Sequence, residues 1–462
     1  MGVCNVISLF VQTTQIANDI MPNRGSMKKG IIVLLITVLA AGMAFAGFNG
    51  SASIGFGVDL HHKEYGFIDQ STNVSVSLAL EQAIGSAQGE GDIVASINGS
   101  VSFQFDTGAY GDVDVSAKPV YVYASIDSAK IAGADWSVSI LGAGAPKDFA
   151  KSAIESKYVS YGTNDWGYPN GGGSSAYSYS FGYNAYVNPI PGVEVSYKDY
   201  TVGFGINGSY ATEGSKPNVL GYFYTPAYEV AEGLKVNAGF AGYKQGDAST
   251  IGGSINAAYA ADSLKASVAS DMGYDLVAEK FNFDVAAKAS LSPVALDVYF
   301  RNTATTGYAG ENLLSAKAVI DLASFNVPVK LTITGKDVIN AQNLSAKAEV
   351  AVAEPITVSV NGGYAFKKLD AGSYVDSKTW SAGIDMKYAC EQFTAKAGAA
   401  LSGVTEVTKV TANASIESES IIPGATIGLY WADVSDNATK KKTMNLLDKE
   451  YGQVYAACEI AF

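Results

Sequence analysis

The stretch Phe48 to Leu60, FNGSASIGFGVDL, alternates between two kinds of residue along its whole length. One set of alternate positions reads Phe, Gly, Ala, Ile, Phe, Val and Leu, and the other reads Asn, Ser, Ser, Gly, Gly and Asp. Successive side chains of an extended strand point to opposite faces, so this period of two predicts a β-strand with one apolar and one polar face. The same alternation returns in residues 73–81 and 92–105.

Short turns recur through the second half of the chain, 29 to 36 residues apart. They fall near Asp262, Ser292, Ala323, Glu354, Cys390 and Glu419. Each interval holds a strand, a longer polar loop and a second strand. Outer-membrane barrels are built from such hairpins, with short periplasmic turns and longer extracellular loops. We therefore predict an all-β fold, a single large antiparallel transmembrane β-barrel over residues 47–462. The strand count is about 22, within a range of 18 to 24.

A soluble sandwich would also alternate, but the charged residues favour a membrane barrel. They keep to one strand phase over many strands while Val, Ile, Leu, Phe and Ala fill the other, and an interior pore would explain both. The predicted pore-lining residues are Asp284, Lys288, Asp297, Arg301, Lys317, Asp321, Lys330, Lys347, Glu349, Asp385 and Lys387.

The last strand, residues 453–462, ends on an aromatic residue. Tyr455, Ile460 and the terminal Phe462 resemble the insertion signal of bacterial outer-membrane proteins. This pattern predicts the barrel-assembly machinery and outer-membrane lipid as partners.

One segment leaves the strand count open. The alternation in residues 193–210 changes phase at Lys198 and Asp199. We interpret this change as a β-bulge within one long strand, because a bulge inserts one extra residue. A turn at the same place would change the count.

Residues 27–46, MKKGIIVLLITVLAAGMAFA, have the three parts of a secretory signal peptide. Two lysines precede an apolar stretch, and Ala44 and Ala46 form the small-x-small cleavage pattern. Cleavage after Ala46 would make Gly47 the first mature residue and would send the chain to the outer membrane. Residues 1–26 lack signal character, and we interpret them as an extension upstream of the true start.

Composition disfavours several classes of function. A net charge of −13 disfavours nucleic-acid binding, because an acidic chain repels phosphate. The two histidines, His61 and His62, are adjacent, and no nucleophile or phosphate-binding motif accompanies them. We therefore predict no enzymatic activity, no metal site and no cofactor. Cys390 and Cys458 lie four strands apart in the predicted order, too far for a disulfide, so two free thiols are expected.

Two predicted extracellular loops could contact a ligand. Residues 145–175 form the longest interruption of the alternation, and residues 433–450 carry three consecutive lysines. The candidate contact residues are Tyr158, Tyr161, Trp166, Tyr168, Lys440, Lys441 and Lys442. The first loop could narrow the pore or bind a partner, but its aromatic residues also suit a membrane interface. The lysines could contact acidic polymers or belong to a solvated loop.

The amino-terminal part of the predicted barrel resembles a known family. Four motifs carry the resemblance: GSA at 50–52, GVDL at 57–60, YGF at 65–67 and GEGD at 89–92. Over about 50 residues this pattern is similar to the major outer sheath proteins of treponemes, which are spirochaetes. The resemblance implies an abundant outer-membrane protein that forms pores, assembles as a homotrimer and binds host extracellular-matrix protein.

The predicted function is that of an outer-membrane porin for passive diffusion of small hydrophilic solutes. After cleavage the chain holds 28 basic and 43 acidic residues, a net charge of −15, which predicts weak cation selectivity. The alternative is a surface adhesin or structural sheath protein that binds host matrix through its extracellular loops.

Overall fold

The computed structural model describes residues 49–61, 65–67, 71–87, 91–106, 121–141, 192–207, 218–245, 248–277, 279–302, 312–370, 373–433 and 444–461. Within these ranges the regular structure is β-strand, apart from two single 3-10 turns at Leu322–Phe325 and Leu446–Asp448. No helix of the described residues has both the length and the apolar character to cross a membrane. The predicted signal peptide and its cleavage residues Ala44, Ala46 and Gly47 lie outside these ranges.

Twenty-two long strands of the described chain are numbered here in chain order. They are β1 (Asn49–Asp59), β2 (Ser71–Ala87), β3 (Gly91–Asp106), β4 (Tyr121–Ala132), β5 (Trp136–Leu141), β6 (Gly192–Tyr197), β7 (Tyr200–Asn207), β8 (Asn218–Tyr224), β9 (Leu234–Gln245), β10 (Ala248–Ala260), β11 (Leu264–Asp275), β12 (Lys280–Leu291), β13 (Val294–Arg301), β14 (Leu313–Asp321), β15 (Val329–Lys336), β16 (Asn343–Ala353), β17 (Ile356–Asp370), β18 (Ser373–Ala389), β19 (Thr394–Gly403), β20 (Val407–Ile422), β21 (Ala425–Ala432) and β22 (Gln453–Ala461). Two short strands belong to the same sheet. Tyr65–Phe67 pairs with β1, which also pairs with β2, and Tyr228–Ala231 pairs with β9, which also pairs with β8. The sheet therefore has 24 strands in all.

The sheet closes on itself. Each strand pairs antiparallel with the next one, and β1 also pairs with β22 over nine residue pairs, from Ser51–Ala461 to Asp59–Gln453. A closed sheet leaves no free edge strand. The architecture is therefore an antiparallel β-barrel of 22 long strands, which confirms the predicted fold class and strand number.

The two ends of the barrel differ in their connections. At the end where β1 begins and β22 ends, here called the termini end, the connections span two to seven residues, except for residues 225–233 between β8 and β9, which number nine and include the short strand Tyr228–Ala231. At the opposite loop end, several connections are longer, among them 60–70, 107–120 and 142–191. The predicted turns lie at the termini end, although the one expected near Glu419 falls at residues 423–424. This asymmetry agrees with the predicted hairpin repeat.

The interpretation of Lys198 and Asp199 as a bulge is wrong. These residues form a two-residue turn between β6 and β7, with Tyr197 paired to Tyr200. Lys198 has φ 46° and Asp199 has φ 66°, and two consecutive positive values are typical of the turns that match strand twist in tight hairpins. A two-residue turn and a one-residue bulge both shift the alternation by one position, so the pattern alone could not separate them.

A short segment at the loop end completes the edge of β20. The first part of this strand extends beyond its neighbour β21, whose pairing begins at Ala414. The Asn445 side chain accepts a hydrogen bond from the Val410 amide (3.0 Å) and donates one to the Thr408 carbonyl (3.1 Å). Side-chain atoms thus take the place of the missing strand, because exposed ladder groups need partners. The helical turn Leu446–Asp448 follows directly.

Candidate functional site

The strand register gathers polar side chains on one face of the closed sheet, here called the interior face. Burial alternates along the strands: in Gly192–Tyr197 every second residue is the more exposed one. The more exposed residues are apolar, such as Val193 and Val195, whereas Glu194 between them is partly buried. Side chains on the concave side of a barrel crowd together, so the more buried polar face is the interior one.

All the predicted pore-lining residues in β12 to β18 share the interior face. Asp284 is the register partner of Arg301, and Asp297 pairs with Lys288 on one side and Lys317 on the other. A second row of residues crosses β14 to β18, and each residue in it is the register partner of the next. The row consists of Asp321, Lys330, Glu349, Ser359 and Asp385. Lys347 and Lys387 stand two positions from Glu349 and Asp385 and therefore on the same face.

Several oppositely charged side chains on this face form ion pairs. Nζ of Lys347 lies 3.0 Å from Oε2 of Glu349, and Nζ of Lys396 lies 3.2 Å from Oε2 of Glu417. Nζ of Lys409 lies 2.8 Å from Oδ2 of Asp433. These side chains are partly exposed, so each pair contributes little to stability, on the order of 0–1 kcal/mol. Their main effect is to make the wall charged and nearly neutral overall.

Asp284 is the most buried of the predicted lining residues, with 5 % of its surface exposed. The hydroxyl of Tyr299, itself fully buried, donates a hydrogen bond to Oδ2 of Asp284 (2.9 Å). Arg301 faces the same carboxylate from its register position. A buried carboxylate requires such partners, because burying a charge without them is costly. Asp284 is therefore a structural anchor of the wall.

The sequence analysis missed a second anchor on the interior face, formed by β6, β7 and β8. The hydroxyl of Tyr222 donates to Oε2 of Glu194 at 2.7 Å, and the ring stacks on Tyr224 at a centroid distance of 4.8 Å. The ring lies over Gly203, where an added Cβ would overlap it. The pairing of Gly203 with Tyr222 fits a large side chain against a bare backbone. The sequence contained one signal for this contact, because Gly203 occupies the inward phase of its strand and tyrosines occupy the inward phase of the next strand.

Tyr455, predicted to belong to the insertion signal, lies on the interior face. It stacks on Tyr430 of β21, with ring centroids 4.6 Å apart. Ile460 occupies the opposite strand phase, since it pairs with Ala52 and Ala425. Phe462 lies outside the described residues, as do Tyr158, Tyr161, Trp166, Tyr168 and Lys440 to Lys442.

The outer face carries aromatic residues toward both ends of the strands. Exposed tyrosines near the termini end are Tyr197, Tyr200, Tyr228, Tyr259 and Tyr388. Exposed aromatic residues near the loop end are Tyr274, Phe281, Tyr364 and Phe366. Between the two belts the exposed side chains are mainly aliphatic, for example Val202, Ile255 and Ile384. The surface thus has an apolar band bordered by aromatic rings.

The described part of the chain contains no group of three or more His, Cys, Asp or Glu side chains that could hold a metal ion. The ring nitrogen Nδ1 of His61 lies 3.4 Å from the carbonyl oxygen of Lys449. The backbone amide of His61 donates a hydrogen bond to Oδ1 of Asp59 (2.8 Å). His61 thus tethers the loop end of β1 to the segment that precedes β22. The thiols of Cys390 and Cys458 are free, as predicted.

Comparisons with known proteins found no matching family model and no matching curated protein. Among solved structures the chain is similar to Pseudomonas aeruginosa OprD, with 11 % identity, a TM-score of 0.36 and coverage of 90 % of this chain and 94 % of that one. Acinetobacter baumannii OccAB2 gives 9 % identity, a TM-score of 0.38 and coverage of 90 % and 96 %. A triple mutant of the Rhodopseudomonas blastica porin has 10 % identity to this chain and a TM-score of 0.28, and the match covers 90 % of this chain and 99 % of that one. These similarities are low, and the barrel described above rests on its strand pairing alone.

Proposed function

We propose that this protein is an outer-membrane porin through which small hydrophilic solutes diffuse passively, with weak cation selectivity. One observation carries the proposal: a closed barrel of 22 long strands has an apolar outer band and a charged interior face. An interior that is to be filled with water must offer polar groups, and an exterior in contact with lipid must not.

The outer face supports a position within a bilayer. A sheet can enter lipid only if it is closed, because open edges would leave amides and carbonyls without partners. On β18 the aromatic residues Trp380 and Tyr388 are eight residues apart, or about 27 Å along the strand. With a tilt of roughly 40° this distance is about 20 Å along the barrel axis, close to the ~25 Å apolar band of such proteins.

The barrel is wide enough for a water-filled lumen. Twenty-two strands spaced about 4.8 Å apart and tilted by roughly 40° give a backbone diameter of about 44 Å. Side chains of the wall cannot fill a cylinder of that width, although chain segments entering from a loop could narrow it. Solutes would therefore be selected mainly by size.

The interior charges support weak rather than strong selectivity. Of the eleven predicted lining residues, five are acidic and six are basic, and several form cross-strand pairs. A balanced wall attracts neither sign strongly. The cation preference would then come from the acidic excess of the remaining mature chain and would fall with rising salt.

A cysteine-accessibility experiment tests whether the interior face lines a conducting pore. Lys387→Cys places a thiol on that face of β18, and Met386→Cys places one on the adjacent outward position. Both variants carry Cys390→Ser and Cys458→Ala, which remove the two thiols of the predicted mature chain. A charged, membrane-impermeant thiol reagent should reduce single-channel current through Lys387→Cys channels and leave Met386→Cys channels unchanged. Equal effects on both, or none on either, would contradict the proposal.

The remaining sequence predictions belong to the same proposal. Export through a cleaved signal peptide, insertion through a carboxyl-terminal signal that includes Tyr455, Ile460 and Phe462, and assembly as a homotrimer would fit an outer-membrane porin. The resemblance to the treponemal family supports this combination.

Binding of host matrix through residues 145–175 remains the alternative function. Deletion of residues 150–175 separates the two, because an adhesin would lose matrix binding while conductance stayed intact.

A further inference from the structure

A pocket lies on the interior face near the termini end of β10 to β14. Its volume is about 530 Å³, within the range of small-molecule sites in proteins. The charged residues that line it are Lys265, Lys288, Asp297 and Lys317. It therefore combines a concave shape with a concentration of charge.

The strand register explains why a depression forms here. Ser267, Lys288, Asp297 and Lys317 occupy one continuous row across β11 to β14. The next row toward the termini end carries Lys265, followed by Ser290, Ala295 and Val319. Long lysine side chains thus stand beside a floor of small residues, and a cavity remains between them.

The charge balance of this pocket differs from that of the surrounding wall. Three lysines line it and Asp297 is the one carboxylate among its described lining residues, so it has an excess of two positive charges. Elsewhere on this face Lys347 forms an ion pair with Glu349, and Lys396 forms one with Glu417, so the charges there balance pair by pair. A small solute with two negative charges would neutralise the excess.

We propose that this pocket is a binding subsite for small divalent oxyanions, such as inorganic phosphate or a short dicarboxylate. Lys288 and Lys317 stand on either side of Asp297, about 10 Å apart at the backbone, and their flexible side chains can converge on one anion. Charge-assisted hydrogen bonds from ammonium groups are among the stronger polar contacts that a protein can offer. The small residues of the floor, Ser290 and Ala295, leave room for the anion.

The subsite adds a saturable step to the proposed diffusion pathway. It rests on the proposed function only because a solute would reach it through the lumen. Its position near the termini end would place bound anions at the periplasmic mouth of the channel. Passage of phosphate or dicarboxylates would then saturate with concentration, whereas passage of neutral solutes of similar size would not.

Titration calorimetry on the folded barrel in detergent tests the subsite without requiring conduction. Phosphate and succinate are titrated separately, with chloride as the monovalent comparison. The wild-type protein should bind at least one of the two divalent anions, and the results with the two probes identify the preferred chemistry. Lys288→Gln combined with Lys317→Gln should weaken binding about tenfold or more, because two charged donors are lost. Asp297→Asn should strengthen it, because the repulsive carboxylate is removed.

The matched control is Lys330→Gln combined with Lys396→Gln, which makes the same charge change on the same face outside the pocket. Its affinity for phosphate and succinate should stay within about twofold of the wild-type value, since distant exposed charges are screened by salt. Equal weakening in both double variants, or no binding to a barrel that folds, would overturn the subsite. Failure of the protein to conduct would overturn the proposed porin function and leave the binding result standing.

Discussion

Gly203 illustrates how one missing side chain can shape the barrel wall. The ring of Tyr222 occupies the space above this glycine and reaches Glu194 with its hydroxyl. Alternation in the sequence predicts that Gly203 and Tyr222 face inward, but it cannot show that one fits over the other. The fit depends on the register between β7 and β8, which pairs these two residues.

We predict that Gly203→Ala destabilises the barrel by about 1–3 kcal/mol, because the added methyl group displaces a buried ring that is held by a hydrogen bond. Gly221→Ala on the neighbouring strand is the matched control, since nothing lies within 4 Å of its added Cβ. Its effect should stay within about 0.5 kcal/mol. Urea unfolding of the refolded barrel measures both. Equal midpoints for the two variants would contradict this account of the packing.

Asp284 and Asp385 occupy the same face but differ in burial. Asp284 is buried and accepts a hydrogen bond from Tyr299, whereas Asp385 is exposed and accepts one from the Asn361 side chain at 3.0 Å. The strand phase placed both residues on one face. Depth of burial depends on how neighbouring chain covers each part of the wall, and the phase of a strand contains no information about that.

We predict that Asp284→Ala costs about 2–4 kcal/mol of stability, because it leaves Tyr299 and Arg301 without their buried carboxylate. Asp385→Ala should cost less than about 1 kcal/mol, since water replaces an exposed partner. The comparison can use the same urea unfolding experiment with both variants in one detergent. A larger loss for Asp385→Ala than for Asp284→Ala would show that the assigned burial is wrong.

At the scale of elements, the hairpins follow from the sequence better than their turns do. The period of two persists through each strand because one face is apolar and the other polar, and a slip of one residue would reverse both. The turn at Lys198 and Asp199 escaped recognition because it lacks the Asn and Gly that usually mark such turns. Both residues nonetheless adopt positive φ angles.

Replacement of Lys198 and Asp199 by Asn and Gly should therefore stabilise the β6–β7 hairpin. Asn and Gly adopt positive φ at lower cost than Lys and Asp, so we expect a gain of about 0.5–1.5 kcal/mol. Thermal unfolding of the folded barrel, followed by its heat-modifiable mobility on gels, measures the change. If the segment were instead a bulge in one long strand, the replacement would lower the stability.

At the scale of the whole molecule, the sequence predicted the class, the strand number and the asymmetry of the two ends. These properties depend on local alternation and on the spacing of turns, both of which are visible in one dimension. The pocket of Lys265, Lys288 and Lys317 is different in kind. It arises from the register of five neighbouring strands, which aligns residues far apart in the chain. Sequence spacing alone does not determine that alignment.

The central claim is that a closed barrel with a charged interior forms an open channel. Planar-bilayer conductance of refolded residues 47–462 tests it most directly, with heat-modifiable gel mobility as the check on folding. We predict large, ohmic, weakly cation-selective current steps, because the lumen is wide and its wall charges are balanced. A folded barrel that inserts into the bilayer and gives no steps would contradict the claim.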